Sequence, residues 1–362
     1  MSLSVDLRTS LGAFTVNAQF DSSGSTTALF GKSGAGKTSI VQMIAGLIRP
    51  QIGRIIIGEH TVFDNARNID IPAHQRRVGY VFQDARLFPH MSVRRNLDYG
   101  HRRRGGGDFS PTFDDVVDVL AIAPLLDRRT HLLSGGECQR VAIGRALLSG
   151  PRVLLMDEPL ASLDETLKAE IIPFIVQVQE EFRLPIVYVS HSVNEVLKLA
   201  DTMVLLADGA VAAVGAVEEV MNRPDLVRIT DTGDAGTVIP VRVTATDDTF
   251  GIATVTFKGG EFLVPITGLQ TGGSLRLHVR ARDVSLALKK PENVSVLNIF
   301  EGTVTSVSNN NQPQMDISID VGGTIIWSQI TQKSVLDLKI APGRRVFAMV
   351  KAVAIDPPVT QS

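Results

Sequence analysis

Apolar positions in this chain change their spacing in a way that predicts its elements. Residues 1–30 alternate and break like short strands, ending in the compact apolar run Thr27-Ala28-Leu29-Phe30, which suits a buried strand. Ile40, Val41, Ile44 and Leu47 then recur at helical spacing, as do Val141, Ile143, Ala146, Leu147 and Leu148. Val153-Leu154-Leu155-Met156 and Ile186-Val187-Tyr188-Val189 read as two further buried strands, the kind that a parallel sheet covers on both faces. Residues 84–132 are mostly helical in pattern. From about residue 231 the helical period is lost, and Val241–Thr244, Ala253–Phe257 and Leu275–Val279 alternate between glycine turns. Val279-Arg280-Ala281 recurs as Val350-Lys351-Ala352, offset by 71 residues. Two small β-barrel units account for that recurrence, unless it is an accident of β sequences.

Chemistry collects where the buried strands stop. Phe30 leads into Gly31-Lys32-Ser33-Gly34-Ala35-Gly36-Lys37-Thr38, a complete G-x-x-x-x-G-K-T loop with a strand before it and a helix after it. Its backbone N–H groups can cradle a β-phosphate, Lys37 can reach β and γ oxygens, and the Thr38 hydroxyl can ligate Mg²⁺. Asp157 and Glu158 arrive together at the end of a second strand, where ligands of doubly wound sheets sit. There Asp157 suits the shell of a Mg²⁺ ion, and Glu158 suits polarisation of an attacking water. His191 follows the third strand and suits a sensor of the γ-phosphate. Gln83, after Tyr80-Val81-Phe82, can ligate Mg²⁺ or the lytic water. Phe14 is either a core aromatic or a platform for a purine ring. Ser134-Gly135-Gly136 opens a helix, and is either an ordinary serine cap or an anion site made by free N–H groups and the helix dipole. Leu87, Phe88 and Pro89 either close a local core or line a groove for a partner's helix.

Composition narrows the class. The chain has 362 residues, enough for two or three domains, and its 44% apolar and 20% charged content is that of a globular protein. A net charge of −2 gives no reason to expect a nucleic-acid partner. The one basic cluster, His101-Arg102-Arg103-Arg104, runs into three glycines and reads as a solvated loop. A single cysteine, Cys138, excludes an intramolecular disulfide. The amino terminus does not read as a signal peptide, and no apolar run is long enough for a membrane helix.

Together these motifs, in this order, resemble the ATP-binding subunits of ABC transporters over about residues 1–230. Gly31–Thr38 matches Walker A, Gln83 the Q-loop, and Leu133–Gln139 the signature, with Ser134, Gly135, Gly136 and Gln139 as its contacts. Val153–Asp157 matches Walker B, Ser162-Leu163-Asp164 the D-loop, and His191 the switch histidine. The resemblance implies an α/β P-loop NTPase with a helical insertion at about 84–150, followed by an all-β oligomer-binding-type tail. It implies ATP and Mg²⁺ as cofactors, the latter at Thr38, Gln83 and Asp157, and catalysis by Glu158, His191 and Gln83. It also implies a head-to-tail homodimer in which one copy's signature caps ATP held by the other. The pair would sit peripherally on the cytoplasmic face of the inner membrane, against permease subunits near Ala85, Arg86, Leu87, Phe88 and Pro89, and be served indirectly by a periplasmic or extracellular solute-binding protein.

Residues 80–90 and the tail resemble those of molybdate importers, with tungstate as a second candidate solute. The tail divides as 231–291 and 292–362, the latter similar to molybdate-binding small domains. Ser295, Asn298 and Lys351 are its candidate oxyanion contacts. Leu297 and Val353 stand where those domains often carry an arginine and a serine, so two donors are lost. The tail is thus read either as an oxyanion binder or as a purely structural dimer-forming module. An importer of sulfate or sugar, or an oxyanion sensor with secondary ATPase activity, is the alternative function.

Overall fold

The structure, a computed structural model, describes residues 3–102, 111–223, 235–308 and 313–354. Arg103 and Arg104 of the basic cluster lie outside the described residues. The chain divides into two compact units, Met1–Val217 and Glu218–Ser362.

In the first unit, among the described residues, one sheet of 11 strands carries the fold. Its strands are β1 (Leu3–Leu11), β2 (Phe14–Ser22), β3 (Thr26–Phe30), β4 (Ile52–Ile57), β5 (His60–Asp64), β6 (Ile69–Asp70), β7 (Val78–Val81), β8 (Val153–Asp157), β9 (Ile186–Ser190), β10 (Thr202–Ala207) and β11 (Ala210–Ala216). Their spatial order is β6-β5-β4-β1-β2-β11-β10-β3-β9-β8-β7. The segment β10-β3-β9-β8-β7 is parallel throughout. Every residue of β3, β8 and β9 is buried, which is why these strands read as unbroken apolar runs. β1 and β2 pair antiparallel and alternate buried with exposed positions, the signature of a sheet with one wet face. Because β3, β8 and β9 run side by side in one direction, the residues after Phe30, Asp157 and Ser190 reach the same edge of the sheet.

Among its described residues the helices of this unit are α1 (Lys37–Ala45), α2 (Val93–Arg102), α3 (Phe113–Val119), α4 (Gly135–Leu148), α5 (Glu165–Phe182) and α6 (Val193–Leu199), and α7 (Val217–Met221) starts at its last residue. α2, α3 and α4 fall within the segment expected to be a helical insertion. No helix among the described residues is long and apolar enough to cross a membrane.

Among its described residues the second unit is mostly β, with the short helix Gln332–Asp337 and two 3-10 turns. Strands Gly236–Asp247, Ile252–Phe257, Gly260–Val264 and Ser274–Arg280 make a 4-stranded sheet. Val284–Ala287 instead pairs with Arg345–Val350, joining the 5-stranded sheet that also holds Asn298–Val307, Gln314–Val321 and Thr324–Thr331. The two sheets share a single apolar core in which the Phe262 and Phe300 rings lie 4.6 Å apart. The sheets therefore do not divide at residue 291, because the strand Val284–Ala287 crosses into the second. At the offset of 71 residues two short 3-10 turns correspond, Ala281–Asp283 and Ala352–Ala354, each following a strand, which ends at Arg280 in the first case and at Val350 in the second.

Arg76 anchors the far end of α1. It is 1% exposed, its Nη1 donates to the carbonyls of Met43 at 2.8 Å and Ile44 at 3.1 Å, and its Nη2 meets Asp70 at 3.1 Å. A cation at a helix C-terminus satisfies open carbonyls and complements the dipole. Gly46 ends the helix at φ 77°, and a Cβ there would lie 2.6 Å from Arg76 Nε. Arg76→Met should therefore destabilise the protein by about 2–4 kcal/mol, since it removes the donor to the Ile44 and Ile71 carbonyls. Chemical denaturation measures the loss; an unchanged midpoint would show that α1 does not depend on this cap.

Candidate active site

The loop Gly31–Thr38 joins β3 to α1. Gly34 and Gly36 take left-handed φ values of 83° and 96°. At Gly31 a Cβ would come within 2.3 Å of the Leu206 carbonyl oxygen. The left-handed backbone at Gly34 and Gly36 and the close approach at Gly31 favour glycine, and the loop presents the N-terminus of α1 to an anion. Lys37 is only 4% exposed, and its ammonium donates to the carbonyls of Gly31 and Lys32, each at 2.9 Å. Phe14, half-buried at the start of β2, packs against the loop: a Cβ on Gly36 would touch its ring at 3.3 Å.

Three segments converge on this loop. The Thr38 hydroxyl donates to Asp157 Oδ1 at 2.8 Å, across 119 residues of sequence. The Tyr80 hydroxyl, from β7, donates to Asp157 Oδ2 at 2.9 Å. Burial, and then the adjacent carboxylate, push the Tyr80 phenol well above its usual pKa, so it stays a donor. Glu158 follows in a left-handed conformation, φ 46°, which a non-glycine residue adopts only where its surroundings enforce it. Its carboxylate bridges two groups, Lys37 Nζ at 3.5 Å and His191 Nδ1 at 3.5 Å. Thr38, Lys37, Asp157, Glu158 and His191 are thus brought together, as their positions after parallel strands imply.

Gln83 lies exposed just beyond the end of β7. The segment after it is strapped down from two helices. Arg145 of α4 donates to the carbonyls of Arg86 at 2.9 Å and Ala85 at 3.1 Å, while the buried Asn96 of α2 accepts from Phe88 N–H at 2.8 Å. Leu87 and Phe88 are half-buried, with the Phe88 ring 4.6 Å from Tyr99, and Pro89 is exposed.

Ser134 caps α4. Its hydroxyl oxygen accepts from Glu137 N–H at 3.2 Å, and Glu137 Oε2 accepts from Ser134 N–H at 2.7 Å, a reciprocal capping box. Ser134 and Gly135 are exposed, whereas Gly136 and Gln139 are buried. A Cβ on Gly135 would lie 2.8 Å from Leu163, so the turn packs against Ser162-Leu163-Asp164. Asp164 caps α5, accepting from Leu167 N–H at 2.9 Å. Burial, then the charge of Glu137, raises the Cys138 thiol pKa, so this thiol stays protonated and unreactive.

In the second unit, Ser295 and Lys351 are exposed. Asn298 is buried, and its amide accepts from Leu263 N–H at 2.7 Å and donates to Leu263 C=O at 3.1 Å. That gives Asn298 a structural task between the two sheets, and its amide oxygen and one N–H are engaged.

Sequence reasoning missed Tyr80, Arg145, Asn96 and Asn298's strap. Tyr80 shares a strand face with Phe82, and only its hydroxyl at a strand end near the carboxylates hinted at more. For Arg145 and Asn96 no local signal exists.

A glycine loop on a helix N-terminus, its lysine buried, with a carboxylate pair at the end of a parallel strand one place further along the same sheet, is the arrangement of a phosphate-loop ATPase. The ABC transporter family matches residues 16–161, and the TOBE domain family matches residues 294–357. A molybdenum import ATP-binding protein ModC of Mesorhizobium japonicum is 49% identical over 98% of this chain and 96% of its own. A ModC of Paramagnetospirillum magneticum is 46% identical over 98% of this chain and 97% of its own. Among solved structures, cbiO1 of Clostridium perfringens, part of the ABC transporter complex cbiONQ, matches with a TM-score of 0.50 at 27% identity, over 62% of this chain and 92% of that one. A nucleotide-free ATP-binding cassette from an ABC transporter shares the fold, with a TM-score of 0.54 at 21% identity, over 63% of this chain and 98% of that one. The chain belongs to the ABC transporter ATP-binding proteins, and within them to the family of molybdenum import ATP-binding proteins.

Glu158→Gln should leave ATP affinity unchanged and lower hydrolysis by about 100-fold or more, the usual cost of losing a positioned base. Nucleotide binding and phosphate release, measured on one preparation, test this; normal turnover would remove Glu158 from the role.

Proposed function

We propose that this chain hydrolyses ATP to energise molybdate import through membrane permease subunits. The observation that supports hydrolysis is the placing of Glu158 between Lys37 and His191, beside the Asp157–Thr38 bond. Full-length similarity to molybdenum import proteins supports the solute.

The chemistry follows from the residues. Backbone N–H groups of Gly34–Thr38 and the Lys37 ammonium hold the phosphates, with Lys32, Ser33 and Ala35 completing the loop, and Phe14 offers its ring to the adenine. Glu158 takes a proton from a water whose oxygen attacks the γ-phosphorus as the bond to the β–γ bridging oxygen breaks and ADP leaves with that electron pair, and His191 orients the carboxylate. The hard oxygen donors of Thr38 and Asp157 fit Mg²⁺, which binds through one or two side chains plus phosphates and waters, with Gln83 as a further oxygen donor. When bound, that ion would neutralise charge on the phosphates. No cluster of three or more His, Cys, Asp or Glu side chains offers another metal site among the described residues. Ser134, Gly135 and Gly136, with Gln139 behind them, are anion donors at the start of α4, and the ligand we assign them is the γ-phosphate held by a second copy. Such a pair would act peripherally at the cytoplasmic face of the membrane, with Ala85–Pro89 against the permease.

Uptake of labelled molybdate and sulfate by cells lacking this chain, with and without it restored, separates the solutes. Restored molybdate uptake that a Lys37→Ala chain fails to support is the expected result. Loss of sulfate uptake alone would overturn molybdate as the solute.

A further inference from the structure

His191 is 55% exposed, so its ring has little around it to fix where Nδ1 points, yet it meets Glu158 Oε2 at 3.5 Å. Its placement must come from the backbone on either side. Ser190 Oγ accepts from Ser192 N–H at 2.9 Å, closing the turn around His191, and donates to Glu195 Oε2 at 2.7 Å. Glu195 is 5% exposed. The same oxygen accepts from the Tyr188 hydroxyl at 2.9 Å, while Glu195 Oε1 faces Lys168 Nζ at 3.3 Å. A carboxylate buried this deeply persists only when paired and hydrogen-bonded, and here two hydroxyls and an ammonium supply the partners. Buried Tyr188 keeps its proton for that bond, because burial, and then the nearby Glu195 carboxylate, push its pKa well up.

The sequence disguises this group. Ser192-x-x-Glu195 reads as a capping box, in which the glutamate would turn back to the N-cap N–H. Only half of that box forms, Glu195 N–H donating to Ser192 Oγ at 3.4 Å, and the carboxylate is committed to Ser190, Tyr188 and Lys168. Lys168 stands in the first turn of α5, which Asp164 caps, and Leu163 beside it packs against Gly135. The start of α5 and the residue before its cap thus meet the Ser134 turn through Leu163 and the His191 turn through Lys168.

We propose that Glu195, held by Lys168, is a positioning residue for hydrolysis: it fixes the Ser190–Ser192 turn so that His191 is presented to Glu158. This rests on the ATPase reading above, and it concerns the rate of hydrolysis rather than nucleotide affinity. Glu195→Gln keeps the size and the hydroxyl acceptors but removes the charge that Lys168 holds. Lys168→Met removes the other side of the pair.

Steady-state kinetics, ATP binding and thermal midpoints of the full chain provide the test. Each single variant should lower kcat by about 10-fold while KM for ATP stays within about 2-fold, and the double variant should be no worse than either single, because one link is broken in each case. Lys168→Arg should recover most of the rate. An unchanged kcat in Glu195→Gln, or kcat, KM and thermal midpoint falling together, or additive losses in the double variant, would overturn the proposal. If the unaltered chain shows no hydrolysis, the ATPase reading itself falls, and with it this inference. Hydrolysis by the unaltered chain with an insensitive Glu195 overturns the inference alone.

Discussion

Asp157 is the joint on which the catalytic edge depends. Its two carboxylate oxygens accept from hydroxyls of different elements, Thr38 at the start of α1 and Tyr80 in β7. Because β7, β8, β9 and β3 are parallel neighbours, this tie fixes the phosphate loop against the strand that carries Glu158 and the neighbouring strand that leads to His191. Were α1 free to slide, Lys37 and Glu158 would lose their 3.5 Å contact. Arg76 holds the other end of the same helix, so α1 is pinned at both termini.

Much of this was legible in the sequence, for a physical reason. Strands buried on both faces must be apolar throughout, so β3, β8 and β9 announce themselves, and the chemistry of an α/β sheet lies just past strand ends. Gly31–Thr38, Asp157, Glu158 and His191 stand out as candidates on that ground, and the structure brings them together. The supporting residues were not, because periodicity tells which face a side chain takes but not its distant partner. Tyr80 and Asp157 are 77 residues apart, and Arg145 and Arg86 are 59 apart. Glu195 was hidden more thoroughly, since its local spacing suggests a cap while tertiary packing commits its carboxylate to a buried network.

The second unit shows the same limit. Alternation marks strands, and the offset of 71 residues marks two 3-10 turns that follow strands. Which sheet each strand joins was not written locally. Val284–Ala287 finds its partner in Arg345–Val350 because pairing is a long-range choice, and one shared core results. Asn298 resembled an oxyanion contact by type and place, yet its amide ties the two sheets together through Leu263.

The Ser134 turn is closed by its own Glu137 and leaves Ser134 and Gly135 exposed at the start of α4, while the phosphate loop of the same chain is already furnished with its own lysine and carboxylates. We propose that Ser134, Gly135 and Gly136 complete the site of a second copy. The most direct measurement is the rate at which bound ATP leaves a Glu158→Gln chain, compared with the same chain also carrying Ser134→Arg. Slow release that becomes many-fold faster with Ser134→Arg, at unchanged initial ATP affinity, is the expected result. Equal release rates from the two chains would contradict a site shared between copies.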